Sequence, residues 1–258
     1  MAQRGRGRGR GRGRDKRDSL NIEDWVPKSS IGKKVKGGEI TSIEEIYELG
    51  KPILEPEIVD FLLPTLQSET LDIKNTQRMT DCGRKAQFRA VVLIGDKNGH
   101  FGIGTGKSEE VRPAIETATR DARRRMVCVP RGSGSWEDTS KTPHSIPITV
   151  TGKNGSVEVT IKPAPRGVGL AANPIVRKVL TYAGVKNAWS FSRGHTRNIY
   201  NMAMAAANAL NSLNSMKYHG DWSEMGAKGE EVAKIHESVK DVKSSPEPEK
   251  KKKEENEA

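Results

Sequence analysis

Cysteine is scarce in this chain of 258 residues, and the two present, Cys82 and Cys128, lie far apart with no CxxC pair. That speaks against a disulfide framework and against a cysteine zinc site, and it suits a reducing compartment. No apolar run approaches the ~18 residues of a transmembrane helix. The N-terminus is arginine-rich and lacks an apolar core, so it does not read as a secretory signal. Asn154-Gly155-Ser156 then reads as a chance match to a glycosylation acceptor. The five histidines, His100, His144, His195, His219 and His236, are scattered, with no HxxxH and no Cys/His cluster. A GxSxG nucleophile motif is missing as well. Glu109 and Glu110 are adjacent on an expected helix, so their side chains diverge and make a poor catalytic pair. They read better as a charged first turn favoured by the helix dipole. No catalytic residue, metal, cofactor or small-molecule substrate is expected.

What the chain has is positive charge, unevenly placed. The net charge is +11. Residues 1–17 hold seven Arg, one Lys and one Asp, so most of that charge sits in one short segment. Such a balance points to polyanions, nucleic acid first, because Arg and Lys gain affinity by releasing condensed counterions. Within this segment Arg4, Arg6, Arg8, Arg10, Arg12 and Arg14 alternate strictly with glycine. It has no apolar surface to bury and is expected to be a disordered arm that contacts RNA. A solvated tail is the plainer reading. The end of the chain, PEPEKKKKEENEA from Pro246, mixes signs and also reads as disordered. Val232, Ile235 and Val239 suggest a short helix near 229–241.

The middle of the chain reads as alternating strands and helices. Ser42-Ile43-Glu44-Glu45 is a capping box, and Gly50 with Pro52 ends its helix. A second short helix is expected from Pro56 to Leu63. Strands are expected at 71–78, 88–94 and 100–105, with GDKNG making the turn before the last. A helix follows from near Glu110 to about Met126, with Val111, Ala114, Ile115, Ala118 and Ala122 on one stripe and Arg112, Arg120, Arg123 and Arg124 on the other. Residues 127–143 read as a linker. Strands at 146–152 and 156–162 flank a Lys153-Asn154-Gly155 turn. Asn173-Pro174 opens a helix ending at Gly184, a strand is expected at 186–191, and a helix at 196–213. Both halves suggest α+β layers with helices on one face of a small sheet.

One segment imitates a nucleotide site. GHFGIGTGKSEE, residues 99–110, ends in Gly106-Lys107-Ser108. A phosphate-binding loop then needs glycine at 101, which is Phe101; a dinucleotide fingerprint needs glycine at 107, which is Lys107. Pro113 also places the helix start several residues too late. Gly102 and Gly104 read instead as strand glycines that permit a bend or a close backbone approach.

Taken as one block, GRKAQFRAVVLIGDKNGHFGIGTGKSEEVRPAI (83–115) resembles the central signature of the universal small-subunit ribosomal protein family called S-five in bacteria and S-two in eukaryotes. The resemblance rests on Gly83-Arg84, Phe88, Ala90, Gly95-Asp96, Gly99, Gly102, Gly104, Glu110-Val111 and Ala114-Ile115. Phe101 departs from it, where a smaller aliphatic is usual. Residues 161–190 and 194–210 resemble the same family's C-terminal domain. EPEIVDFLLPTL and WEDTSKTPHSIP resemble its archaeal and eukaryotic branch, and the short extensions lean archaeal.

Composition points to a disordered arm at 1–23 and to an extension at 216–258, largely disordered at its end, and the resemblance reaches neither. The resemblance implies a helical extension at 24–70, a double-stranded-RNA-binding-like domain at 71–130, a linker at 131–145 and a small β-α domain at 146–215. It further implies a structural constituent of the small ribosomal subunit near the body–head junction. Its partners would be ribosomal RNA, neighbouring proteins beside the mRNA entry channel and mRNA itself, its role assembly and decoding accuracy, and its place cytoplasmic, on the ribosome.

The family's RNA-contacting loop falls on Arg78 to Lys85, so Arg78, Gly83, Arg84 and Lys85 are its candidates. Arg fits phosphate bidentately, and Gly83 lets backbone approach RNA. Further candidates are Arg89, Lys107, Arg123 and Arg124, and the Gly-flanked Arg166, Arg193 and Arg197. Trp136 and Trp189 read as packing or protein-contact residues. The alternative function is a stand-alone double-stranded-RNA-binding factor; an ATPase is a remote third.

Overall fold

The computed structural model describes residues 25–138 and 142–216. The Arg-Gly segment with Arg4 to Arg14, and the helix expected near 229–241, lie outside the described residues. The chain divides into two units, one up to Leu66 and one from Gln67.

The first unit holds α1 (Ser30–Lys36), α2 (Ile43–Glu48) and α3 (Glu57–Leu62). The expected capping box is present. The Ser42 hydroxyl accepts the Glu45 N–H at 3.4 Å and donates to the Glu45 carboxylate at 2.9 Å. That second bond, with those from Thr41, holds the Glu45 carboxyl below its ordinary range. The sequence reading missed α1. It is capped by Ser29, and the Glu55 carboxylate accepts the N–H groups of Lys28 and Ser29 at 2.9 and 2.5 Å.

In the second unit β1 (Gln67–Thr80), β2 (Gly83–Gly95), β3 (His100–Ser108) and β4 (Met126–Cys128) form an antiparallel sheet in that order. The helix α4 (Val111–Arg124) joins β3 to β4. Each expected strand here runs past its expected bounds: Gln67 to Thr70 of β1 pair with Val92 to Gly95 of β2, and at the far end Met79 and Thr80 pair with Arg84 and Gly83. Lys107 and Ser108 end β3 rather than leading into the helix. Part of the expected linker, Val127 and Cys128, is strand β4, and Gly132 bridges Ser145 further on.

A second sheet contains β5 (Val150–Asn154), β6 (Val157–Pro163), β7 (Leu170–Ala171) and β8 (Ala188–Arg193) in the order β5-β6-β8-β7. Helices α5 (Pro174–Tyr182) and α6 (Ile199–Ser212) complete it. Asn173 caps α5, with its side chain accepting the Ile175 N–H at 3.1 Å, and Pro174 occupies the first helical position, as the sequence suggested.

The glycines of the 99–110 segment are explained by packing. Gly102, Gly104 and Gly106 alternate along β3 and face α4. A Cβ on any of them would fall well inside van der Waals contact of the backbone of Ala122, Ala118 or Ala114. Ala114, Ala118 and Ala122 are fully buried there, so glycine on the strand meets alanine on the helix and the two backbones nearly touch. Val111 and Ile115 from the expected stripe sit at its margin, exposed and half-buried. The residues between the glycines point the other way. Phe101 and Ile103, with Val91 and Leu93, join Val159, Val179, Leu180 and Leu210 in one buried cluster that spans both sheets. Phe101, where this sequence departs from the family signature, is fully buried in that cluster.

Candidate nucleic-acid interface

The β1–β2 hairpin outruns the rest of its sheet. β3 pairs with β2 only from Phe88 to Gly95, so the stretch from Gly83 to Gln87 has β1 alone beside it. From Ile73 to Ala86 almost every residue on both faces is exposed. Two alternating faces without a core partner have no apolar reason to exist, and apart from Ile73, Met79, Cys82, Gly83 and Ala86 the residues there are polar or charged. At the tip Arg78 is opposite Lys85, and Met79 is opposite Arg84. Asp81 and Cys82 form the turn. Gly83 follows at φ +128, a conformation L side chains rarely adopt, and the Thr80 hydroxyl donates to its carbonyl at 2.8 Å. The four loop candidates Arg78, Gly83, Arg84 and Lys85 therefore meet in one place. Lys85 also pairs with Glu109 at 3.0 Å, both exposed, and such a pair is worth little in water.

The other candidates are spread out. Arg89 and Lys107 are register partners on one face. The Arg89 guanidinium lies 4.6 Å from the centroid of Tyr200 on α6, so one of its faces is occupied by a ring within the protein. Arg123 is half-buried and Arg124 exposed in the last turn of α4, where cations also suit the helix dipole. Arg166 is exposed between Pro165 and Gly167. Arg193 ends β8, and Arg197 follows Gly194. Trp136, read as a packing or protein-contact residue, is 91% exposed and so does not pack within the fold.

One buried polar network supports this surface, and sequence reading had no signal for it beyond the histidine itself. The His144 ring lies between the Asp138 carboxylate at Nε2 and the Asn187 amide, 3.0 Å from Nδ1. Since the Asn187 amide nitrogen donates to Nδ1, the proton is assigned to Nε2, which donates to Asp138. Asn187 Oδ1 accepts the Gly169 N–H at 2.9 Å. The Ser145 hydroxyl donates to the Asn187 carbonyl at 2.6 Å and accepts the Ala164 N–H at 3.3 Å. The order Asp-His-Asn imitates a catalytic relay, but both ring nitrogens are committed inside the fold. Its effect is to pin Ala164 and Gly169, and so both ends of the loop that carries Arg166.

A second ionic contact organises the turn before β3. Asp96 accepts the N–H groups of Asn98 and His100 at 2.7 and 3.0 Å, and its second oxygen meets His100 Nδ1 at 2.8 Å. Burial lowers the His100 pKa, but the Asp96 carboxylate and Cys128 outweigh it and raise the value to about 10. For Asp96, burial works upward and the His100 contact and backbone donors win, leaving its carboxyl below the ordinary range.

Comparison with known proteins matches this architecture. A family described as "Ribosomal protein S5, N-terminal domain" matches residues 66–130, and "Ribosomal protein S5, C-terminal domain" matches residues 152–223. A protein named small ribosomal subunit protein uS5 from Ignicoccus hospitalis is 47% identical over 79% of this chain and 97% of its own length. Proteins of the same name from Methanocaldococcus jannaschii and Methanoregula boonei are each 51% identical, over 76% and 75% of this chain and 90% and 95% of theirs. All three are archaeal, in line with the branch suggested by EPEIVDFLLPTL. With both domain families matched in order and most of each relative covered, the chain belongs to the ribosomal protein S5 family.

Proposed function

We infer that this protein is a structural constituent of the small ribosomal subunit, where it binds ribosomal RNA and neighbouring ribosomal proteins. Its family membership carries the reading, and the relatives' shared name supports it. The finer assignment is a place near the body–head junction and the mRNA entry channel, with roles in assembly and decoding accuracy, on cytoplasmic ribosomes. We assign the domains as 71–130 and 146–215, joined by 131–145, with 24–70 and 216–258 as extensions.

The β1–β2 tip, with Arg78, Gly83, Arg84 and Lys85, is the principal RNA contact. It is narrow, bare on both faces and cationic, so it can enter a groove and meet phosphates on either side. Lys107, Arg124, Arg166, Arg193 and Arg197 add exposed cations, and Arg4 to Arg14 add the arm. Arg89 and Arg123 are weaker candidates, the first stacked on Tyr200 and the second half-buried. The stand-alone double-stranded-RNA-binding alternative is not favoured, since both ribosomal domains are present in order. The test is sedimentation of the full chain from cells after a high-salt wash. It should remain with small-subunit particles; finding it only in the soluble fraction overturns the reading.

A further inference from the structure

The second sheet buries one face and, among the described residues, leaves the other largely open. Val157, Val159 and Ile161 of β6 point inward and are fully buried. The alternating residues point outward and are exposed: Lys153 on β5, Glu158 and Lys162 on β6, and Trp189, Phe191 and Arg193 on β8. Pairing sets Lys162 opposite Trp189, Glu158 opposite Arg193, and Lys153 opposite Glu158. Phe191 is 58% and Trp189 37% exposed. The Lys162 ammonium lies 5.1 Å from the Phe191 ring centroid. Two large rings in mid-strand on an open face are a surface that needs an occupant.

We propose that this face is a stacking platform for unpaired bases of a single-stranded RNA segment. The proposal rests on the RNA-binding reading above and extends it from phosphates to bases. Trp189 and Phe191 are two residues apart on one strand, about 6.6 Å along it, and both rings leave the sheet on the same side. Consecutive bases splayed from an extended strand can each meet a ring. The cations decide between RNA and protein. The core of a protein interface is depleted of charge, whereas here Lys153, Lys162 and Arg193 are interspersed with the rings against a single carboxylate, Glu158. Exposed cations continue past both ends of β8, Arg166 beyond its β6 neighbour and Arg197 beyond its own last residue. Aromatic platforms among cations that track the backbone are how proteins hold single strands without reading their sequence.

The test has two arms on the full chain. In the first, Phe191 is replaced by benzoylphenylalanine, the chain is assembled into small subunits in cells, and the particles are irradiated. A crosslink to an unpaired ribosomal RNA nucleotide is expected. A crosslink to protein alone, or none from particles that contain the chain, overturns the platform. If the chain is missing from the particles, the ribosomal reading fails instead, and the second arm decides the platform by itself. That arm measures anisotropy of an oligouridine of about 12 nucleotides against an abasic ribose-phosphate of equal length. Phe191→Ala should weaken oligouridine binding about fivefold or more and leave the abasic strand unchanged, and Phe191→Tyr should restore it. Equal losses on both strands, or none on oligouridine, overturn the proposal. Since Phe191 is more than half exposed, retention of fold is expected and is checked by the melting temperature.

Discussion

In the first sheet Gly102, Gly104 and Gly106 let α4 settle onto β3, and the opposite face is sealed in the cluster shared by both sheets. In the second, Gly152 does the same beneath Ala205 and Ala209 of α6, but the opposite face stays open. The covered faces obey one rule, glycine on the strand under alanine on the helix. The surfaces left over differ. The first sheet ends in a ribbon with cations and no aromatic from Lys74 to Gln87, suited to phosphates. The second presents rings among cations, suited to bases. On the reading proposed above, function divides along the uncovered surface, while the layers beneath it are built alike.

The likeness of the two layers is open to direct attack. Gly104→Val and Gly152→Val both drive a side chain into helix backbone, which cannot move aside as a flexible side chain can. Each should cost about 3 kcal/mol or more, at or beyond the upper end for overpacking, read as a fall in the urea midpoint. If Gly152→Val is tolerated and Gly104→Val is not, the shared rule fails.

These close approaches also mark where sequence reading stops. Capping box, Asn173-Pro174 start and the apolar strands are local signals, and each was legible; the β5–β6 turn was expected too early, since Lys153 and Asn154 end β5 and Gly155-Ser156 make the turn. The spacing of Phe101 and Lys107 sufficed to dismiss the phosphate loop. The partner of the glycines was not legible, because it is set by how α4 returns across the sheet. Helix α1 was missed because its capping serine is followed by only two apolar residues, Ile31 and Val35, among lysines. β4 and β7, three and two residues long, are too short to show a period. The candidate site was legible as a cluster where one turn gathers it, at Arg78 to Lys85. It was not where long-range contacts intervene, as Tyr200 does at Arg89. The outward alternation of Trp189, Phe191 and Arg193 was present in the sequence, but only the sheet shows that nothing among the described residues covers it.

Two of the hairpin turns differ in chemistry, and pH separates them. The β2–β3 turn is held by Asp96 and His100, whereas the β5–β6 turn is the uncharged Gly155-Ser156. His100 has its pKa raised from 6.5 to about 10, so its contribution is complete below pH 6.5 and is lost as pH rises toward 10. Asp96 has its pKa lowered, so its contribution is present above the ordinary 3.8 and is lost as pH falls through the folded value. The melting temperature should therefore fall between pH 6.5 and 10, and His100→Gln should lower it at pH 6.5 and flatten that slope. An unchanged slope would remove the pair from the account.

The hairpin tip should separate binding from stability. Arg78→Gln, Arg84→Gln and Lys85→Gln combined should leave the melting temperature within about 1 °C, since exposed substitutions rarely exceed ~0.5 kcal/mol. Binding to a ribosomal RNA fragment should weaken about tenfold or more, and the slope of log K against log salt should become shallower by about 2 to 3. Phe191→Ala should leave that slope unchanged. If both variants shift the slope equally, the division into phosphate-binding and base-binding surfaces is wrong.

The smallest contrast lies at the helix starts. Asn173 and Asn198 cap α5 and α6 through their side chains, whereas α4 begins at Glu110 with no side-chain cap. Glu110 already has the extended backbone an N-cap residue requires, φ −114 and ψ 158, but its carboxylate sits one methylene too far out to turn back onto the first N–H groups. Glu110→Asp keeps the charge that suits the helix dipole and supplies the shorter side chain. It should stabilise the protein by about 0.5 to 1 kcal/mol, and Asn173→Ala should cost about 1 kcal/mol, both read from thermal melts. A loss at Asn173 without a gain at Glu110 would mean that the start of α4 is already fixed by its close packing on β3, so that the glycine stripe does for α4 what a cap does for α5.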